Sequence, residues 1–171
     1  MNELAAKAKR GDPDAFAELI QSQMQNMYKT ARAILKQDAD VADAISDTIL
    51  GCWEQIQTLK NPAFFRTWMT RILINKCYDQ IRKNKTISWE EYPVEQGYEE
   101  SGFENIEWKE TLDALPEKYR LAMMLYYVEG FKVSEISQIL EISEGTVKSR
   151  LARGREQLTE SFELQKRRVN A

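Results

Sequence analysis

Histidine is absent from this chain of 171 residues. That removes the commonest general base and the commonest metal ligand at neutral pH. Cysteine is nearly absent. Cys52 and Cys77 each sit inside an apolar helical pattern, so they read as buried thiols and not as a disulfide or a zinc site. Neither GxxxxGK[ST] nor GxGxxG occurs, so no phosphate-cradling loop is expected. The expectation is a protein that is not an enzyme and holds no cofactor or metal. Long apolar runs are also lacking. The longest, Leu121 to Val128, is eight residues, too short to span a bilayer. Met1 to Asp12 has no apolar core of a signal peptide. A cytoplasmic protein with no direct membrane insertion is expected.

What remains is 43% hydrophobic and 30% charged, the composition of a globular protein. The net charge is −3, and its distribution says more than its value. Residues 86–108 contain no Lys or Arg and seven glutamates: Glu90, Glu91, Glu95, Glu99, Glu100, Glu104 and Glu107. Pro93, Gly97 and Gly102 fall in the same stretch, and helical period is missing. It reads as an acidic flexible linker. Its aromatics, Trp89, Tyr92, Tyr98, Phe103 and Trp108, fit either docking on a partner or packing on an adjoining domain.

Before the linker, 1–85 reads as a wholly helical domain. Asp12-Pro13 supplies a cap and a first-turn proline for a helix running through Met27 and Tyr28 to Leu35. A second helix starts at Asp38 or Asp40, with Val41, Ile45, Thr48, Ile49, Cys52, Trp53 and Ile56 as its buried stripe. Asp40, Asp43, Asp47 and Glu54 form an acidic stripe on another face, either solvated or a dock for a basic partner. A third helix follows Asn61-Pro62, with Phe65, Trp68, Met69, Ile72, Leu73 and Ile81 apolar. Arg71, Asn75, Asp79 and Arg82 share one face, and Lys83 and Lys85 continue the basic character. Aromatics stack bases, amides read base edges and cations follow phosphates, so this helix has the equipment for single-stranded DNA. Trp68 fits a core position as well as a base platform.

After the linker, 109–171 contains two helices joined at Glu141-Ile142-Ser143. Ser134 is the expected cap of the first and Ser143 of the second. In the second, Val147, Leu151, Gly154 and Leu158 share an apolar face, where Gly154 permits close approach. The other face carries Lys148, Ser149, Arg150, Ala152, Arg153 and Arg155. A cationic face with a small residue inside it suits the DNA major groove, although a solvated basic face has the same composition.

The order of these features resembles the extracytoplasmic-function group of sigma-70 family sigma factors. The resemblance rests on GDPDAFAELI, DADVADAISDTILGCW, FFRTWMTRILINKCYDQIRK, LDALPEKYRLAMMLYYVEGFKVSEISQIL and EGTVKSRLARGREQL, in that order over nearly the whole chain. It implies an all-α fold with two small helical domains, 1–85 and 109–171, joined by the linker 86–108. The first would bind core RNA polymerase, through its β′ and β subunits, and melt and read the minus-ten element. The second would read the minus-thirty-five element through its helix-turn-helix. Asp43, Asp47 and Thr48, with Asp40 on the same stripe, match the core-binding motif. Arg66, Trp68, Arg71, Asn75, Asp79 and Arg82 belong to the minus-ten element, with Asn75 at the position that captures a flipped base in some members. Thr146, Lys148, Ser149, Arg150 and Arg153 match the minus-thirty-five helix. The resemblance also implies a role in a cell-envelope or other stress response, and an anti-sigma factor, often membrane-anchored in the family, directed at apolar grooves on both domains.

Three departures bear on specificity: Ser46 where Gln is usual, a short Thr58–Phe64 loop, and Ala152 where some relatives carry a bulkier side chain. The alternative from another class is a stand-alone helix-turn-helix activator or repressor. Such proteins usually dimerise on paired half-sites, and no coiled-coil heptads occur here.

Overall fold

The computed structural model describes residues 1–87 and 112–169, and all regular structure among them is helical. The chain divides into two compact units, Met1–Gly97 and Tyr98–Ala171. From Ser88 to Trp108 the expected linker lies outside the described residues.

The N-terminal unit opens with α1 (Asn2–Lys9), which the sequence reading did not anticipate. It has no side-chain cap and buries only Ala5 and Ala8. Two long-range bonds hold its end: Lys9 Nζ donates to Leu59 O at 2.6 Å, and Gln57 Nε2 donates to Lys9 O at 2.5 Å. Asp12 caps α2 (Pro13–Gln21), its Oδ1 accepting from Asp14 N at 3.1 Å and Ala15 N at 3.0 Å. The expected continuous helix to Leu35 is broken. The Ser22 hydroxyl donates to Leu19 O at 2.6 Å, and Gln23 is buried at the junction before α3 (Met24–Arg32). Serine's local bond to the backbone offers an alternative to the helical ladder, which explains the interruption.

Next come α4 (Asp38–Gln55), two short 3₁₀ turns (Ile56–Thr58 and Pro62–Phe64) and α5 (Phe65–Ile87). Thus α5 carries helix two residues past the expected domain boundary at Lys85. Helices α4 and α5 pack together, and Leu19, Met27, Val41, Phe65, Met69 and Leu73 are fully buried. At their contact Gly51 faces Ile72 and the stem of Lys76, where a Cβ would meet each at 3.7–3.8 Å.

In the C-terminal unit α6 (Glu117–Met123) runs into a wide π turn at Met124–Val128. Glu129 N donates to Met124 O there at 3.0 Å. Helix α7 (Val133–Leu140) is capped at Lys132 and not at Ser134. The Glu135 carboxylate accepts from Lys132 N at 2.8 Å, a bond that fixes the helix start two residues early. Glu141 ends α7 in the left-handed region, φ 55° and ψ 41°. The turn is then tied by Ser137 Oγ donating to Ile142 O at 2.6 Å and Ile142 N donating to Ser137 O at 3.2 Å. Ser143 caps α8 (Glu144–Val169) as expected, its Oγ accepting from Thr146 N at 3.1 Å. The predicted apolar face of α8 is buried at Val147, Leu151, Gly154 and Leu158.

Candidate nucleic-acid interface

Three helix faces hold the residues singled out from the sequence, two in the N-terminal unit and one in the C-terminal unit. On α4 the acidic residues divide by environment. Asp43 is exposed. Asp40 and Asp47 are half-buried, and both meet the end of α5. Asp40 Oδ2 accepts from Asn84 Nδ2 at 2.9 Å, and Lys83 Nζ stands 3.7 Å from Asp47 Oδ2. Thr48 does not belong to this face. It is fully buried, and its hydroxyl donates to Ala44 O of its own helix at 2.6 Å, so it has no surface to offer a partner. The same exposed side instead includes Ser46, Leu50, Trp53 and Glu54. Trp53, expected in the buried stripe, is 40% exposed, with its ring centroid 4.9 Å from that of Phe16. Leu50, at 57% exposure, was missed as a surface residue. Its one sequence signal is its i+7 spacing from Asp43, on the acidic side of the helix.

The second face lies along α5. Arg71, Asn75 and Arg82 are exposed, and Asp79 is half-buried and paired with Arg82. Arg66 and Trp68 are half-buried, and the Trp68 ring tilts against Phe65 at 5.9 Å. Trp68 therefore contributes to packing while keeping part of its ring at the surface, between the two roles open to it. Asp47, Lys76, Asp79, Arg82 and Lys83 together line one shallow polar groove. The acidic helix and the Asn/Arg helix thus share a charged seam, which their separate periodicities did not reveal. Elsewhere on α4, burial pushes the Cys52 thiol up to about 12.

The third face is on α8. Lys148, Ser149, Ala152, Arg153 and Arg155 are exposed, while Thr146 and Arg150 are half-buried. Ser149 Oγ donates to Thr146 O at 2.9 Å, and Thr146 Oγ1 lies 2.9 Å from Ser143 Oγ. Arg153 Nη1 rests on Glu156 Oε2 at 2.9 Å, and Arg155 Nη1 donates to the Tyr127 hydroxyl at 3.1 Å. These are exposed pairs of small net worth, so an incoming phosphate or base can replace them at little cost. Ala152, exposed beside Ser149 and Arg153, adds only a methyl to this face. Such a face can place a cation and a hydroxyl in a major groove while Val147, Leu151 and Leu158 anchor the helix.

The C-terminal unit has a further feature, an apolar groove of about 390 Å³ lined by Leu112, Met123, Tyr127, Val128, Leu158 and Phe162, with Arg155 also on its wall. Tyr127, Val128 and Phe162 are 40–54% exposed. Among the described residues no group of acidic or cysteine side chains is arranged to hold a metal ion, and no helix is long and apolar enough to cross a membrane.

Comparison with known proteins places the same faces in matched regions. Residues 19–87 match the Sigma-70 region 2 model, and residues 106–158 match the model of Sigma-70, region 4. The chain is 30% identical over 160 residues to ECF RNA polymerase sigma factor SigM of Mycobacterium tuberculosis (strain H37Rv), covering 91% of this chain and 81% of that protein. It is 28% identical over 170 residues to ECF RNA polymerase sigma factor SigW of Bacillus subtilis (strain 168), covering 89% of this chain and 91% of that one. Among solved structures, the fold is shared with CnrH in complex with the cytosolic domain of CnrY (TM-score 0.71, 24% identity, 95% of this chain and 97% of that chain). It is shared too with RpoE in complex with the anti-sigma factor NepR from Bartonella quintana (TM-score 0.74, 21% identity, 86% of this chain and 96% of that chain). With a 30%-identical relative aligned over 91% of this chain and both regions matched in order, the chain belongs to the extracytoplasmic-function sigma factors, which direct RNA polymerase to initiate transcription at chosen promoters.

Proposed function

We propose that the three faces divide the work of initiation. The α4 face, with Asp43 at its centre and Asp40, Asp47, Leu50 and Trp53 around it, docks the β′ subunit of core polymerase. An acidic rim around exposed apolar side chains suits a basic partner with an apolar anchor. The α5 face engages the melted minus-ten strand. Asn75 hydrogen-bonds the edge of a flipped base, Arg71 and Arg82 hold phosphates, and the surface part of the Trp68 ring stacks. The α8 face reads the minus-thirty-five duplex through Arg153, Ser149 and Lys148. The acidic segment 86–108 joins the two DNA-reading domains, 1–85 and 109–171, and follows a path through polymerase that nucleic acid would otherwise take. The protein is not an enzyme and works in the cytoplasm under envelope or other stress. An anti-sigma factor restrains it by laying an apolar helix in the groove around Tyr127 and Phe162. The CnrH and RpoE structures, each a complex, support such a partner.

The observation that carries this reading is the exposure of Asp43, Asn75 and Arg153 on three separate helix faces, each without a structural task in the core. The test is co-purification with core polymerase. Asp43→Arg with Asp47→Arg abolishes it while leaving helical circular dichroism unchanged, because like charges at a complementary interface are strongly unfavourable. Footprinting with and without core separates this reading from a stand-alone regulator. A sigma factor protects the promoter only when core is present, and a repressor protects it alone.

A further inference from the structure

The contacts at the far end of α5 link the two faces of the N-terminal unit. Asp40 and Asp47 belong to the proposed polymerase dock. Their partners, Asn84 and Lys83, extend the DNA face beyond Arg82. Lys83 and Asp47 are 59% and 42% exposed at the side chain, so the pair is open to exchange. Lys76, Asp79 and Arg82 complete the groove, and Asp79 is already committed to Arg82. Asp43, one turn from both Asp40 and Asp47 on the same helix, shares in none of these contacts.

We infer that Asp47 and Asp40 form a latch that occupies Lys83 and Asn84 in the free protein, and that polymerase binding opens it and releases both side chains to the promoter strand. This rests on the polymerase reading of α4. A basic surface arriving at Asp47 offers it a better-desolvated partner than Lys83. The ammonium is then left without its carboxylate, beside a strand of phosphates that attract it through counterion release. Asn84, set free from Asp40, offers an amide donor to the same strand. The coupling is reciprocal, since whatever factor polymerase adds to DNA affinity, DNA adds to polymerase affinity. Lys83 and Asn84 are thereby DNA-binding residues that act only in the holoenzyme.

The experiment is fluorescence anisotropy of a short labelled single strand of mixed sequence with the full chain, alone and bound to core polymerase. In the free chain Lys83→Gln lowers affinity no more than the charge-matched Lys60→Gln, at an exposed lysine outside the groove. Asp47→Asn raises it by about two- to fivefold more than the charge-matched Asp43→Asn does, the range expected for freeing one exposed ion pair. That extra gain disappears in the Asp47→Asn/Lys83→Gln double variant. In the holoenzyme Lys83→Gln lowers affinity by a similar factor. Equal gains from Asp43→Asn and Asp47→Asn would mean bulk charge alone and overturn the latch. A Lys83→Gln loss of the same size with and without core would overturn the release. Undiminished core binding by Asp43→Arg/Asp47→Arg would instead remove the polymerase reading, a failure distinct from that of the free-chain cycle.

Discussion

Gly154 of α8 lies so close to Met123 of α6 that a Cβ built on it would stand 2.8 Å from Met123 Cγ and 3.0 Å from Sδ. Cγ is near the root of the methionine side chain, and Tyr119 Cβ closes the other side at 3.8 Å. Glycine in mid-helix costs roughly 1 kcal/mol against alanine, so Gly154→Ala ought to stabilise on propensity alone. The clash outweighs that gain, since overpacking costs about 1–3 kcal/mol. Gly154→Ala therefore lowers the unfolding midpoint. Met123→Ala opens the space, and adding Gly154→Ala to that background raises the midpoint instead. Urea titrations of the two singles and the double check the change of sign.

The two proposed DNA faces are expected to fail at different steps. Arg153→Ala costs about 1–3 kcal/mol in promoter recognition and relaxes preference at one base pair. It slows closed-complex formation and leaves melting of a bound promoter intact. Asn75→Ala spares the closed complex and reduces open-complex formation, and a pre-melted bubble rescues it in part, because the few kcal/mol of unstacking is then already supplied. Permanganate reactivity of unpaired thymines, set beside a gel shift on the same promoter, separates the steps. One defect shared by both variants would refute the division of labour.

Cys52 makes stability fall in alkaline solution. Its thiol is raised to about 12 in the folded chain against an ordinary value of 9.0. Above pH 9 the unfolded chain loses this proton and the folded chain keeps it, so unfolding is favoured as pH rises. The contribution is intact below pH 9, is reduced by about 1 kcal/mol at pH 10, and continues to fall toward pH 12. Cys52→Ala removes this part of the slope. Thermal midpoints from pH 8 to 10 for both proteins measure it, and parallel curves would contradict it. At neutral pH the same thiol resists alkylation until the chain unfolds.

Asp12 holds two otherwise unpaired amides at the start of α2. Asp12→Ala costs about 1 kcal/mol, and Asp12→Asn recovers most of it. Chemical denaturation of the three proteins reads the difference.

What was legible in the sequence is what leaves a local signal. Ser143 and the Val147, Leu151, Gly154, Leu158 spacing located the start and the buried face of α8 because cap and stripe agree there. The acidic and Asn/Arg helices were legible from period and charge. The break at Ser22-Gln23 was not, since the apolar spacing of Phe16, Leu19, Ile20 and Met27 runs across it undisturbed and the interruption comes from one hydroxyl bond. Helix α1 went unseen because two alanines carry its whole buried face. Thr48 was placed on the inward stripe by period, and only the resemblance assigned it to polymerase; a threonine in a helix can satisfy its hydroxyl on its own backbone and turn inward. The pairing of Asp47 with Lys83 spans 36 positions, and no periodicity within either helix encodes it.

The wide turn at Met124–Val128 works as a phase adjuster. It holds one residue more than regular α pitch would allow, and Glu129 N reaches back five residues to Met124 O. Each residue of an α-helix advances the chain by about 100°. The wider loop absorbs its extra residue, so the chain leaves it at nearly the angle of a regular α turn one residue shorter. A further inserted residue has no such slack: it would rotate the departure of Gly130 and Phe131 by about that angle, and α7 and α8 would leave α6 on a different heading. Every side chain on the proposed recognition face would remain, correctly spaced, yet aimed elsewhere. Five residues assigned to no DNA contact thus set the azimuth of that face, and a single-residue insertion there is expected to erase promoter recognition while the helices themselves survive, whereas a deletion that restores ordinary pitch is expected to keep it.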